Sequence, residues 1–369
     1  MIYRNDCRFF IGEKPCKFKR ECEGCPHFEA FGFRILIIKL GAIGDVLRTT
    51  PLLPVLKQQY PESHITWVVE EIAAPLLADN PYIDRLLTPC LDTYASLSMQ
   101  QFDLLLGLDK IDRATALATQ VRATEKRGFG MTPQGTLMVF NPEAEHALML
   151  GISDRMKFYL NDKPYQQITF EALGLHYEGN EYVLELHADE KAWSDAWRKV
   201  QRLPEGNVIG VNTGSGTAFA GKAWRIESIA ELCKRLHREM GATVLLLGGP
   251  QEGERNRRIM DMVGDAAIDM GCDNSLRRFC AIVDLCDTVV TGDTTCMHIA
   301  IALRKQVVTF FGSTCAQEID LYGRGEKLVA QVDCAPCYLK HCPIGEICMD
   351  AITTDAVFDA VLRQHRGRH

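Results

Sequence analysis

The chain has 369 residues, of which 47% are hydrophobic and 24% are charged, with 29 glycines and 15 prolines. This length suits two domains of about 150 to 200 residues, and the composition excludes a disordered, collagen-like or coiled-coil protein. The formal net charge of −7 argues against a dedicated nucleic-acid-binding protein. Because the sequence contains neither a run of about 18 apolar residues nor a secretory signal, we expect a cytoplasmic protein.

The first half of the chain begins with a small cysteine-rich segment, residues 1–30, which shows no sustained apolar period. The next residues form a continuous apolar run, as expected of a strand buried on both faces of a parallel sheet. The predicted elements of this half are a strand at 35–38, a helix over 46–60, strands at 65–69 and 102–108, and a helix at 114–121. They alternate as βαβ units do.

A second alternating series starts at residue 208. Its predicted elements are a strand at 208–211, a helix carrying Ile229, Leu232, Leu236 and Met240, a strand at 242–247, helices at 253–263 and 276–285, a strand at 288–291, a helix at 297–303 and a strand at 307–311. Two such series predict an α/β protein with two Rossmann-like, doubly wound domains. Ligands of these sheets bind beyond the carboxyl ends of the strands, so we expect the site in a cleft between the domains.

The first polar motif, Lys39 to Asp45, follows the first buried strand. Its glycines allow a tight turn from strand to helix and leave backbone N–H groups facing the expected cleft. Asp45 falls at the start of the helix, where it either caps the helix or serves as a general base toward a hydroxyl nucleophile. The spacing does not match the pattern G-x-G-x-x-G, which argues against an NAD site.

Two further motifs stand at the corresponding edge of the second domain. Gly214 to Thr217, followed by Lys222, offers small residues and a positive charge to a diphosphate, although a flexible surface loop would show the same pattern. Thr291 to His298 ends a strand and opens a helix whose N–H groups and dipole form an anion site. Asp293 and His298 either serve that site or only cap and pack.

Four parts of the chain resemble glycosyltransferase family 9, the bacterial ADP-heptose lipopolysaccharide heptosyltransferases: Arg34 to Tyr60, Lys222 to Leu232, Gly292 to Gly312 and the cysteine-rich tail. The similarity spans roughly residues 31–366, and the Gly-Asp turn and the Asp-Thr-x-x-x-His turn are together specific to this family. The resemblance implies a GT-B fold of two Rossmann-like domains. It also implies an inverting transfer without a catalytic metal, with the acceptor held by the first domain and the nucleotide-sugar by the second.

The expected organisation has four parts. We place a cysteine-rich extension at 1–30, the acceptor domain at 31–190, the nucleotide-sugar domain at 191–350 and a C-terminal helix at 351–369. A return of that helix to the first domain is one alternative.

The resemblance also implies roles for single residues. Asp45 is the expected base, Lys222 the expected contact to the donor phosphates and sugar, and Gly44 is assigned to the acceptor site. The other expected donor-site residues are Ser215 and Thr217 for phosphate, either Glu252 or Glu254 for the ribose, Asp293 for the sugar hydroxyls, Thr294 and Thr295 for the diphosphate, and His298 as support for that turn. Thr295 stands where the family commonly has glycine, so its backbone is the expected contact.

The acceptor is expected to be acidic, because the lipopolysaccharide inner core is rich in phosphate and carboxylate. Basic side chains of the first domain are the candidates to bind it: Arg113, Arg122, Lys126 and Arg127. The alternative is that this charge run is a solvated helix face.

Eight of the 15 cysteines form two sets, each of which contains a Cys-x-x-Cys pair. The first set is Cys7, Cys16, Cys22 and Cys25, and the second is Cys334, Cys337, Cys342 and Cys348. Four thiolates suit tetrahedral Zn²⁺, and an iron–sulfur cluster uses the same ligands. We predict structural zinc, with an iron–sulfur cluster or redox-active thiols as alternatives. The remaining cysteines are interpreted as buried, small apolar residues.

The sequence thus predicts a transferase that moves heptose from ADP-heptose to a lipopolysaccharide inner-core or lipid-linked acceptor. We expect no nucleic-acid partner and a peripheral contact with the cytoplasmic face of the inner membrane. Two alternatives stay open. One is a GT-B transferase with another nucleotide-sugar, and the other is a metal- or redox-binding protein on a transferase scaffold.

Overall fold

The computed structural model describes residues 2–216 and 220–366, and the chain divides into two compact units. The first unit comprises Met1–Leu40 and Leu52–Glu145, and the second comprises Gly41–Pro51 and His146–His369. The chain therefore leaves the first unit after its first strand, contributes one short helix to the second unit and returns. The predicted domain boundary near residue 190 stays a prediction, although residues 146–190 pack with the second unit.

The helices and strands are defined here by their residues in chain order. The strands are β1 (Arg34–Ile38), β2 (His64–Val68), β3 (Arg85–Leu87), β4 (Gln101–Gly107), β5 (Arg122–Met131), β6 (Leu137–Val139), β7 (Val208–Asn212), β8 (Thr243–Leu247), β9 (Ile268–Asp269), β10 (Thr288–Gly292), β11 (Gln306–Phe311) and β12 (Gly325–Val329). The helices are α1 (Ile43–Thr49), α2 (Leu52–Gln59), α3 (Leu91–Met99), α4 (Asp112–Gln120), α5 (Glu145–Ile152), α6 (Tyr165–Ala172), α7 (Ala188–Val200), α8 (Ile226–Met240), α9 (Gly253–Val263), α10 (Leu276–Asp284), α11 (Thr295–Ala302), α12 (Ile347–Asp350) and α13 (Thr354–Arg366).

Each unit holds one six-stranded sheet, and the two sheets share one topology. The first has the order β3-β2-β1-β4-β5-β6 and the second has the order β12-β11-β10-β7-β8-β9. Within the described residues the paired strands are parallel, except that β6 runs antiparallel to β5 at the edge of the first sheet. In both sheets the strand order reverses beside the first strand of the series, which is the doubly wound arrangement. The predicted fold class is confirmed.

The central strands are apolar because both of their faces are covered. In the first unit β1 and β4 pack with α4 through Leu36, Leu105 and Leu117. In the second unit the apolar stripe of α8 shares a core with β8, β10, β11 and the C-terminal helix α13. Helix α8 ends at Gly241, whose φ of 60° is left-handed and suits glycine, and the chain then enters β8. Helix α13 packs against α8 and β12 within its own unit.

The predicted elements are all present with ends displaced by a few residues, except for one helix. The helix predicted over 46–60 is wrong, because two helices, α1 and α2, occupy that range. Pro51 lies between them and has no N–H to donate, so the hydrogen-bond pattern of α1 is not continued there, although Thr50 before it keeps helical backbone angles. The break allows α1 to pack in the second unit while α2 stays in the first.

A buried ion pair holds the end of β1 in the first unit. The Lys39 ammonium lies 2.5 Å from an Asp109 carboxylate oxygen, and the two side chains are only 5% and 8% exposed. The second Asp109 oxygen accepts the backbone N–H of Leu40. The indole of Trp67 donates to the Lys39 carbonyl at 3.2 Å. Both charges are therefore compensated at the point where the chain leaves the sheet.

We expect Asp109→Leu to lower the free energy of unfolding by about 3–5 kcal/mol, because it leaves the Lys39 charge buried without its partner. The double variant Lys39→Met/Asp109→Leu should regain most of that loss, since no charge is then buried. Urea unfolding followed by tryptophan fluorescence measures both values. A single variant as stable as the wild type would show that this pair does not hold the strand end.

Candidate active site

Helix α1 presents Gly44 and Asp45 in its first turn. The residue that caps this helix is Ala42, and no side chain makes the capping hydrogen bond. The alternative of Asp45 as a helix cap is therefore wrong. Its carboxylate, 38% exposed, instead lies 3.3 Å from the guanidinium of Arg48, one turn further on. Asp45 thus does not cap the helix, and its carboxylate lies beside the positive charge of Arg48 on the same helix.

The motif Thr291 to His298 contains the turn from β10 into α11. Thr294 precedes the first turn of α11 without making a side-chain cap. Its hydroxyl lies 3.0 Å from the hydroxyl of Thr291 and 3.4 Å from the amide nitrogen of Asn212. Thr295 is the first residue of the helix. The turn therefore offers the start of an eight-residue helix beside several hydroxyl and amide groups.

Helices α1 and α11 meet at Gly44 and His298, which brings the two motifs together within the second unit. A Cβ at position 44 would lie 2.3 Å from the imidazole Cδ2 of His298, so only glycine allows this approach. The end of α1 is fixed as well, because the Thr50 hydroxyl accepts the backbone N–H of Val183 at 2.8 Å. Motifs about 250 residues apart in the sequence thus share one site.

His298 is a buried and neutral histidine. Burial disfavours its charged form, and Arg48 adds to this, so that its pKa falls to about 4. The Tyr182 hydroxyl lies 3.2 Å from the imidazole Nδ1. This histidine therefore supports the turn by packing and hydrogen bonding rather than by charge.

The residue predicted to contact the donor phosphates, Lys222, pairs with Asp293. The ammonium lies 2.9 Å from a carboxylate oxygen, and the side chains are 15% and 19% exposed. Burial opposes ionisation of Asp293, but the charge and hydrogen bond of Lys222 outweigh it and lower the pKa of Asp293 below its usual range. A cation and an anion are thus held together at the carboxyl end of β10.

The glycine-rich loop after β7 closes on Glu252. Its carboxylate accepts the backbone N–H of Gly216 at 3.1 Å and that of Gly249 at 2.9 Å. Glu254, the other glutamate considered for the ribose, is exposed and forms an ion pair with Arg257 on the same helix. The structure thus brings Glu252, and not Glu254, to the loop. Ser215 is part of this loop, whereas Thr217 lies outside the described residues.

Comparison with known proteins identifies the family of this chain. Residues 93–348 match the model of glycosyltransferase family 9 (heptosyltransferase), which is more than half of the chain. The chain belongs to glycosyltransferase family 9. It is therefore a glycosyltransferase, and its two doubly wound units are those of the GT-B fold.

Three similar proteins illustrate the comparison. Lipopolysaccharide heptosyltransferase 1 of Escherichia coli K12 is 24% identical over 328 residues, which cover 79% of this chain and 92% of that protein. A family 9 glycosyltransferase structure from Veillonella parvula has a TM-score of 0.72 at 20% identity and covers 92% and 99% of the two chains. TibC of enterotoxigenic E. coli, described as an iron-containing dodecameric glycosyltransferase, has a TM-score of 0.56 at 15% identity and covers 92% and 79%. A second TibC structure is described as a complex with ADP-D-beta-D-heptose.

The basic residues predicted to bind the acceptor do not lie on the face of a single helix. Arg113 is on α4 and pairs with Glu70 at 2.6 Å. Arg122, Lys126 and Arg127 are on β5, so the helix-face interpretation is wrong for these three. The Lys126 ammonium donates to the last carbonyls of α4, and Arg127 pairs with Glu125. Neighbouring residues of a strand point to opposite faces, so Lys126 and Arg127 do not form one patch.

Each cysteine set lines one cavity. The first set surrounds a cavity of about 370 Å³ that is also lined by Phe9, Phe10 and Phe18. The second surrounds a cavity of about 20 Å³ beside Gly221 and Ser313. Within the described residues, no three His, Cys, Asp or Glu side chains are placed to share one metal ion, so the predicted four-thiolate geometry is not formed here. Cys90 is exposed, contrary to its interpretation as a buried residue.

Several residues of this site were not found from the sequence. Arg48, Tyr182 and Glu318 carry no local motif, and each reaches the site through contacts with residues far away in the chain. Asn212 could have been found, because it is a polar residue directly after the apolar run of β7.

None of the helices in the described ranges is long and apolar enough to span a membrane.

The His298 imidazole is expected to stay neutral well below neutrality. Since its pKa is about 4 when folded and 6.5 ordinarily, the unfolded chain takes up this proton first as the pH falls. The free energy of unfolding should therefore decrease between pH 6.5 and 4, and less steeply in His298→Gln. NMR of the imidazole resonance against pH checks the assignment. A titration midpoint near neutrality would contradict it.

Proposed function

We propose that this family 9 enzyme transfers heptose from ADP-heptose to a lipopolysaccharide-type acceptor in one inverting displacement. The observation that carries the proposal is the contact of Gly44 with His298, which sets the Asp45 turn beside the turn that holds Asp293. A single displacement needs a base for the nucleophile and positive charge for the leaving group. A carboxylate near a paired cation and the start of a helix supplies both.

Asp45 is the proposed general base. Its carboxylate takes the proton of the acceptor hydroxyl while the hydroxyl oxygen forms a bond to the anomeric carbon. The bond from that carbon to the diphosphate oxygen breaks, and ADP leaves with the electron pair. Because attack and departure occur on opposite faces of the carbon, the configuration inverts. Asp45 suits this role since its carboxylate lies 3.3 Å from the Arg48 guanidinium and its side chain is 38% exposed.

Lys222 and the start of α11 are proposed to stabilise the departing diphosphate. The Lys222 ammonium supplies a positive charge, and the first N–H groups of α11 are available as donors. The Asp293 carboxylate, which accepts a hydrogen bond from Lys222 at 2.9 Å, can also accept hydrogen bonds from hydroxyl groups of the donor sugar. Thr294 and the backbone of Thr295 are proposed to donate to the diphosphate. This arrangement provides the charge stabilisation from the protein itself, so we propose no catalytic metal.

Glu252 is the proposed ribose ligand. Its two oxygens each accept one backbone N–H, and a carboxylate has further lone pairs for ribose hydroxyls. Ser215 in the same loop is proposed to contact phosphate. The assignment of the donor as ADP-heptose is supported by the description of the family and by the complex described for TibC.

The acceptor is proposed to be a lipopolysaccharide inner-core glycan or a related lipid-linked glycan. The name of the E. coli relative supports this assignment. Gly44 borders the proposed acceptor hydroxyl, because it precedes Asp45 in the first turn of α1. Arg113 and Arg122, both exposed, remain proposed contacts to acidic groups, together with Lys126 and Arg127. We propose that transfer takes place in the cytoplasm at the inner membrane surface.

The cysteine sets are proposed to hold structural metal. Four thiols line one cavity in each set, and sulfur is the ligand that zinc and iron share. In the second set the Cys342 sulfur accepts the backbone N–H of Glu346 at 3.1 Å. The iron described for TibC supports iron as the alternative to zinc.

Asp45→Asn is expected to reduce acceptor-dependent ADP release by about 10²–10⁴-fold, because the amide cannot take the proton. ADP affinity should stay within about threefold, since Lys222 and the α11 turn are unchanged. Isothermal titration with ADP and a coupled ADP-release assay measure the two effects. Asp92→Asn is the matched control, because Asp92 is also an acid in the first turn of an exposed helix. An active Asp45→Asn enzyme would exclude Asp45 as the base.

Metal analysis of the purified protein tests the cysteine sets. We expect zinc or iron bound to the protein, and loss of part of it in Cys16→Ser and in Cys342→Ser, because each variant removes one of four thiolates. Cys90→Ser is the control, since Cys90 belongs to neither set. Bound metal together with no ADP release from any nucleotide-sugar would favour the metal- or redox-binding alternative. A protein without metal would contradict the structural role.

A further inference from the structure

Arg48 is a buried cation in the candidate active site, and no sequence motif assigns it a role. It lies in the last turn of α1, one turn after Asp45, and its side chain is only 9% exposed. Burying a guanidinium is unfavourable unless its charge and its donors are matched. Within the described residues its Nε is buried without a hydrogen-bond partner, so the groups around its two terminal nitrogens and against its plane compensate the charge.

Three groups surround the guanidinium. One terminal nitrogen lies 3.3 Å from the Asp45 carboxylate. The other donates to the Glu318 carbonyl at 3.0 Å and lies 3.8 Å from the Glu318 carboxylate. The Tyr165 ring lies beneath it, with the guanidinium carbon 3.9 Å from the ring centre. The same Glu318 carbonyl accepts the backbone N–H of Tyr165 at 3.0 Å, so this support is itself tied together.

The charge of this arginine is permanent. Burial disfavours the charged guanidinium, but Asp45, the tyrosines and Glu318 outweigh that effect and raise the pKa of Arg48 above its ordinary value. Arg48 therefore places a fixed positive charge beside Asp45 at every pH at which the enzyme is folded.

The other titratable groups that face this pair carry little charge near neutrality. His298 on α11 has a pKa of about 4 and is neutral. Burial raises the pKa of Tyr182, which stays protonated. Tyr165 of α6 contributes its ring. Further away, Lys222 and Asp293 act on His298 and offset each other as an ion pair. Arg48 and Glu318 are thus the charges that govern the Asp45 carboxylate.

We propose that Arg48 is a positioning residue that keeps the Asp45 carboxylate ionised and oriented for proton transfer, and that Glu318 and Tyr165 hold Arg48 in place. The inference rests on the proposed role of Asp45 as general base. Arg48 touches no reacting atom in this assignment, and it acts only through the carboxylate. Its charge is divided between two acids, since the distances to Asp45 and Glu318 are 3.3 and 3.8 Å.

The pH dependence of kcat/KM separates this role from a merely structural one. Removal of the positive charge makes protonation of Asp45 easier, so the acidic limb of the profile should move to higher pH in Arg48→Met. We expect a shift of about one pH unit, at the low end for an opposite charge at this distance because Asp45 is partly exposed. Arg48→Lys keeps the charge and should keep the limb within about 0.3 pH units. Above the limb, kcat/KM should fall at least about tenfold in Arg48→Met through lost orientation.

Glu318→Gln provides a second variant with the opposite sign. It removes the competing carboxylate, so the Arg48 charge acts on Asp45 alone and the acidic limb should move to lower pH. This arm keeps the proposal testable if Arg48→Met does not fold. Arg238→Met is the matched control, because Arg238 is an exposed helical arginine whose partner is its neighbour Glu239. Its profile should equal that of the wild type.

The outcomes distinguish the two levels of the proposal. If Asp45→Asn remains active, the base assignment fails and the role of Arg48 fails with it. If Asp45→Asn is inactive but Arg48→Met and Glu318→Gln leave the acidic limb unmoved, only the role of Arg48 is overturned. Opposite shifts of the limb in the two variants, with ADP affinity within about threefold of the wild type by calorimetry, support it.

Discussion

The close contact between Gly44 and the His298 imidazole is the constraint on which the candidate active site depends. A Cβ at position 44 would lie 2.3 Å from the ring, so the absence of a side chain sets the distance between α1 and α11. The ring itself is held by Tyr182 and stays neutral because it is buried. This contact sets the spacing of the Asp45 and Asp293 turns, and the hydrogen bonds from Val183 to Thr50 and from Arg48 to Glu318 also hold α1 in the second unit. The Gly-Asp turn and the Asp-Thr-x-x-x-His turn are therefore joined by one packing contact.

Charges in this enzyme are buried in pairs at the carboxyl ends of strands. Lys39 with Asp109 follows β1 and β4, and Lys222 with Asp293 follows β10. Each buried pair leaves no net charge without a partner, which limits the desolvation cost. The two pairs differ in what they leave open. Asp109 uses both oxygens inside the protein, on Lys39 and on a backbone N–H, whereas the Lys222 and Asp293 side chains are 15% and 19% exposed. The first pair therefore has a structural use, and the second is suited to a ligand.

Local sequence patterns were enough to predict much of the fold and part of the candidate site. Strands such as β1, β7 and β10 are continuous apolar runs, because helices cover both faces of a parallel sheet, and α9 was predicted at the bounds that the structure has. Strand β5 was missed because its first half, Arg-Ala-Thr-Glu-Lys-Arg, is largely polar, and Pro51 was not recognised as a helix boundary. Asp45, Asp293 and His298 stand in motifs that the sequence analysis singled out, and the structure brings the Asp45 and His298 helices together. Arg48, Tyr182 and Glu318 were not singled out, because their partners are fixed by tertiary packing and leave no periodic signal in the sequence.

Helix α1 packs with the second unit although it is joined at both ends to strands and helices of the first. The second unit is therefore not one continuous piece of chain, and a fragment starting at residue 146 would lack the helix that covers His298. Such a fragment would expose the imidazole and the α11 surface that Gly44 covers, and it would contain Asp293 without Asp45. Neither half of the polypeptide encodes a whole site, so the enzyme cannot be divided into an independent acceptor protein and donor protein along its sequence. The helix that carries the proposed base is thus encoded between two elements of the first unit and packs in the second.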